Sequence, residues 1–155
     1  MTEKRNRKIR WCVVLLICNV LFIWGNSMLP GEVSGAISDW VGKVIAAIFY
    51  HGDGVPQAGR GLLRKLAHLT EFACLGALLT WLLSLLQKPR VFAIAAGVLV
   101  ASVDETIQRI VPDRGPSIKD VLIDTSGVLL GMIFLLVGYT VCKKKAKQHQ
   151  EDTPK

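Results

Sequence analysis

Side chains able to move protons or hold ions recur at helical spacing in three places of this 155-residue chain, each within or beside a long apolar run. Arg64, His68 and Glu71 stand at i, i+4 and i+7, which places them on one face of a helix. Asp104, Glu105 and Gln108 come late in a run that begins at Val91, and Asp120 and Asp124 form an i, i+4 pair early in the next one, with Arg114 in the connection between. An imidazole among carboxylates can accept and return a proton, and Arg64 and Arg114 can receive an anionic head group. His and Asp/Glu are also ligands for zinc and other divalent ions. The spacing itself singles out no metal: HExxH is absent, and His68-x-x-Glu71 is the Glu-x-x-His element of carboxylate-bridged bundles in reverse order and in a single copy. The competing structural reading is an ion-pair network that only fixes helix packing.

The elements that must position these groups are helices in a bilayer. With 51% hydrophobic residues and a mean hydropathy of +0.40, the chain is too apolar for a soluble domain with one core. Four runs, about 11–29, 66–86, 91–111 and 118–142, can each cross a hydrocarbon layer of about 30 Å. Between the first two, Val33, Ile37, Trp40, Val41, Val44, Ile45, Ile48 and Phe49 recur at helical spacing. They predict an amphipathic helix over about 34–49, lying on the membrane surface or packed against the spans. His51 to Gly61 reads as a loop, and residues 143–155 as a polar, disordered tail. The expected fold is all-α: a four-span bundle with an extra helix in the first external loop.

Charge sets the expected topology. Lys4, Arg5, Arg7, Lys8 and Arg10 fill the arm at 1–10, Lys88 and Arg90 flank Pro89, and Lys143, Lys144, Lys145 and Lys147 follow the last run. Short basic flanks on alternate loops are what the positive-inside bias produces, so both termini and the QKPR turn are expected in the cytoplasm. A nucleic-acid surface would instead interleave stacking aromatics with its cations, and none is expected here. Cys12, Cys18, Cys74 and Cys142 have no CxxC or ligand spacing and read as small hydrophobes.

Antiparallel spans put the start of the second, the end of the third and the start of the fourth in one leaflet. By helical rise, Glu71, Asp104 and Asp124 each lie roughly 8 to 10 Å below the outer end of their helix. The other halves, LGALLTWLLSLL, VFAIAAGVLVAS and LLGMIFLLVGYT, hold no ionisable residue. Polar groups therefore form a layer near the external face. Charged groups in a bilayer cost about 2.5 to 3.5 kcal/mol each on insertion scales, so such a layer reads first as a functional site. Gly127 and Gly131 form a GxxxG step, the usual mark of close helix approach.

Three stretches together resemble the VanZ-like family of small bacterial membrane proteins: GNSMLPGEVSGAIS (25–38), RKLAHLTEFACLGALL (64–79) and DETIQRIVPDRGPSIKDVLIDTSGVLLG (104–131). The family pattern of a basic pair followed by H-x-x-E, then D-E-x-x-Q, an Arg-bearing loop, and D-x-x-x-D/N-x-x-G is met at Arg64, Lys65, His68, Glu71, Asp104, Glu105, Gln108, Arg114, Asp120, Asp124 and Gly127. The resemblance implies a multi-pass protein of the bacterial cell membrane, in a family named for a member that lowers susceptibility to the glycopeptide teicoplanin. It supplies no reaction and no cofactor.

Three functions follow as expectations. In the first, an external pocket binds or modifies a lipid-linked or surface component of the envelope, with His68, Glu71, Asp104, Glu105 and Asp124 as the reacting groups and Arg64, Gln108, Arg114 and Asp120 as binding groups. A scaffold whose polar layer is structural comes second. An oligomeric transporter comes third, against the usual midplane site and internal repeat.

Overall fold

The computed structural model describes residues 3–49, 57–112 and 117–151. Among them are five α-helices and no strand: α1 (Glu3–Ser27), α2 (Gly31–Phe49), α3 (Gln57–Leu86), α4 (Val91–Ile110) and α5 (Ile118–Glu151). Four of these, α1 and the stretches Leu62–Leu86, Val91–Ile110 and Ile118–Lys145, are long and apolar enough to cross a membrane. The chain is thus an all-α, four-span bundle with a fifth helix between the first two spans.

Local chemistry explains where the helices stop. Pro30 has no N–H to donate, so α1 cannot run through it, and its carbonyl accepts the Ser34 amide of the first turn of α2, at 3.0 Å. At the other end of α3, Gln87 adopts φ 56°, while Lys88 N–H donates to the Leu83 carbonyl at 2.9 Å and Gln87 N–H to that of Ser84 at 3.3 Å. That is the Schellman closure, built here on a glutamine where glycine is usual. Pro89 follows and α4 starts at once.

Helix α1 begins at Glu3, so the basic arm at 1–10 is helical from there. Two boundaries differ from those expected and need correction. The loop expected over 51–61 is helical from Gln57 onward, while 51–56 lie outside the described residues. The tail expected to be disordered continues α5 to Glu151. Lys, Ala, Gln and Glu are all good helix formers, so once a span precedes them the helix propagates without needing a core.

Helix α3 packs against each of the other four, most extensively along α5. Small residues make that contact possible. A Cβ on Gly131 would collide with the Ala73 backbone, one on Gly76 with the Val128 backbone, and one on Gly127 would sit 2.6 Å from the Leu69 carbonyl oxygen. The GxxxG step on α5 therefore serves packing within the bundle. Ile23, Phe72, Leu75, Ala101 and Val128, one or two from each span, form the buried core, with Trp24, Val100 and Val121 against it.

The amphipathic helix α2 has three faces. Ser34 and Gly42 are buried, and α2 packs on α3. Val33, Ile37, Trp40, Val44 and Ile48 form an exposed apolar stripe, and Glu32 and Lys43 are exposed on a third side. A helix that both packs on a span and shows an apolar stripe suits the edge of a bilayer.

Candidate functional site in the bundle

The antiparallel order gives the bundle two unlike ends. One holds the start of α1, the α3–α4 turn and the end of α5, with most of the Lys and Arg. The other holds the end of α1, the first half of α3, the end of α4 and the start of α5, and there the polar side chains meet.

His68, Asp104 and Asp124 come from three different helices. One atom of each lies within 4.8 Å of the others, and all three residues are buried. The His68 Nδ1 is 3.9 Å from Asp104 Oδ2 and 3.9 Å from Asp124 Oδ1, so the imidazole stands between two carboxylates. Asp104 is fully buried and accepts a hydrogen bond from Gln108 Nε2 at 2.7 Å, one turn along α4. The same Gln108 nitrogen donates to Ser27 Oγ on α1 at 3.1 Å. Asn26 Nδ2, also on α1, donates to Glu71 Oε1 at 2.9 Å. Glu105 is buried and takes the backbone N–H of Ser117, which ties the end of α4 to the start of α5. Ser117 in turn opens α5, its carbonyl accepting the Asp120 amide at 2.9 Å.

The structure thus brings His68, Glu71, Asp104, Glu105, Gln108 and Asp124 to one end of the bundle. Asp120 and Arg64 are half-buried on the neighbouring turns. Arg114 lies outside the described residues. Two participants were not named as site residues from the sequence, although the 25–38 stretch contains them: Asn26 and Ser27, which orient Glu71 and Gln108. The available signal was topological, since the end of the first span shares a leaflet with the start of the second.

Such an arrangement can hold a proton or a cation. Zinc ligands at 2.0–2.2 Å in a tetrahedral set stand about 3.4 Å apart, so the 3.9 Å pairs need only a small contraction to become a coordination half-shell. The amides of Asn26 and Gln108 fix the directions of two carboxylates, as outer hydrogen bonds do for ligands and catalytic acids.

These features define a polytopic helical membrane protein with a buried polar cluster drawn from all four spans. The VanZ/LLP1 family model matches residues 12–139, and the chain belongs to that family. The match overlaps every span and takes in all the residues of the cluster. No curated protein and no solved structure matches the chain.

Proposed function

We propose that the chain is a bacterial cell-envelope protein whose polar cluster binds, and chemically acts on, the polar part of a lipid-linked or surface envelope component, glycopeptide susceptibility being the phenotype to follow. The observation that carries this reading is the meeting of His68, Asp104 and Asp124 from three helices in a buried layer at one end. A packing device has no need of three costly ionisable groups within reach of one another, because such groups return little stability for the desolvation they suffer. Under the positive-inside bias the basic end lies in the cytoplasm and the cluster's end of the bundle lies toward the outer face. In this reading His68 passes a proton between the bound head group and a carboxylate, while Arg64 and Arg114 attract the anionic part of the ligand.

The test is replacement of the cluster members one at a time. His68→Ala, Glu71→Gln and Asp104→Asn are expected to abolish an envelope or teicoplanin-susceptibility phenotype while the protein stays inserted and helical. Full activity in all three variants overturns the reading.

The near-equal distances around His68 Nδ1 favour a second reading of the same residues, a divalent cation held by His68, Asp104 and Asp124. Metal analysis of the protein purified from its own membrane distinguishes the two. Stoichiometric zinc or manganese that is lost in Asp124→Asn supports the cation, and a metal-free active protein rejects it.

A further inference from the structure

The basic end carries a feature that the polar cluster does not use. Between α1, the second half of α3, the α3–α4 turn and the second half of α5 lies a groove of about 1170 Å³. That is above the 300–1,000 Å³ typical of clefts for compact small molecules, and it suits a longer amphiphile. Its rim carries Lys8, Lys88 and Arg90, and no Asp or Glu is among the residues that line it. The rest of its lining is largely apolar, with Trp81, Phe134 and Tyr139. Phe134 and Tyr139 are also exposed on the flank of α5, so that lining runs continuously into surface that faces acyl chains.

We infer that this groove is a binding site for an anionic phospholipid of the leaflet at the basic end. Its phosphate sits at the Lys8, Lys88 and Arg90 rim, and an acyl chain lies along Trp81, Phe134 and Tyr139. Basic pockets between spans are favourable for such head groups because the leaflet charge and the pocket charge add. Lys8 belongs to α1 and Lys88 and Arg90 to the α3–α4 turn, so one phosphate would bridge elements that are distant in sequence. The turn itself is closed by the Gln87 Schellman bonds described above, which hold the backbone that carries Lys88 and Arg90 beside the groove. A soluble anion would use the rim alone and leave the apolar lining unexplained. This site is separate from the polar cluster, and its failure would leave the proposed function standing.

The test uses the full chain in detergent micelles, with bound lipid counted by native mass spectrometry during titration with phosphatidylglycerol, phosphatidylcholine or inorganic phosphate. The wild-type protein should retain phosphatidylglycerol in preference to phosphatidylcholine. Each cation removed should weaken that retention about fivefold, so the combined Lys8→Ala, Lys88→Ala and Arg90→Ala variant should lose roughly 100-fold.

A second variant probes the apolar lining independently. Gly138 lines the groove and a Cβ built on it meets nothing within 4 Å, so Gly138→Leu adds bulk beside the apolar lining with no clash at its Cβ and improves the helix. It should displace the lipid while the thermal unfolding of the protein is unchanged or raised. Equal retention of the two lipids, or phosphatidylglycerol binding that survives Gly138→Leu, overturns the assignment. So does inorganic phosphate binding as tightly as the lipid.

Discussion

Replacing Gly131 by alanine tests the contact on which the whole arrangement stands. The added methyl would overlap the backbone carbonyl of Ala73 and lie 2.9 Å from the Ala77 nitrogen. Both groups belong to the middle of α3 and cannot move singly, so the axes of α3 and α5 must separate. Overpacking of this kind costs about 1–3 kcal/mol. The separation would also loosen Phe72 and Val128, which fill the core directly above. Against this stands the better helix propensity of alanine, about 1 kcal/mol over glycine in aqueous helices. Gly138→Ala provides the matched control, because it carries the same propensity gain with nothing within 4 Å of the new methyl. The stability difference between the two variants therefore isolates the clash, an expected 1–3 kcal/mol or about 5- to 150-fold in the unfolding constant. Unfolding in mixed micelles of mild detergent and dodecyl sulfate, followed by circular dichroism, reads it. A Gly131→Ala variant as stable as the Gly138→Ala control would refute the close approach of α3 and α5.

Two further outcomes follow from the hydrogen bonds and the exposed stripe. A double-mutant cycle of Ser27→Ala with Gln108→Ala should show a coupling of about 0.6 kcal/mol, the average for polar pairs between membrane helices, and additivity would refute the Ser27–Gln108 hydrogen bond. In variants that keep only one tryptophan, Trp40 of α2, 67% exposed in the isolated chain, should be quenched by lipids brominated near the head group; absence of quenching would put the stripe in water.

The spans were legible because apolar runs of bilayer length have few other uses, and the polar layer because ionisable residues in such runs are expensive. Glu71, Asp104 and Asp124 could be put in one layer on paper from antiparallel order and helical rise; that His68, one turn earlier on α3, stands between the two aspartates needed the fold. Asn26 and Ser27 were not legible as site residues, since an amide and a hydroxyl at a span end look like ordinary interfacial residues until the partner helix is placed. The groove at the basic end was hidden for a related reason: Lys8, Trp81, Lys88, Phe134 and Tyr139 show no common motif, and only the fold collects them. The helical continuation of α5 was misread because composition was weighed against packing. Propagation from an existing span needs propensity only.

Thiol cross-linking tests the central claim most directly. In a chain freed of Cys12, Cys18, Cys74 and Cys142, cysteines at His68 and Asp104 should be joined by a short bifunctional thiosulfonate, because the native side chains approach to 3.9 Å and the linker replaces the reach lost on shortening them. Cysteines at Ser27 and Ser84, at opposite ends of the bundle, should not. Cross-linking of the second pair, or none of the first, would contradict the meeting of α3 and α4 side chains in the buried cluster and with it the site.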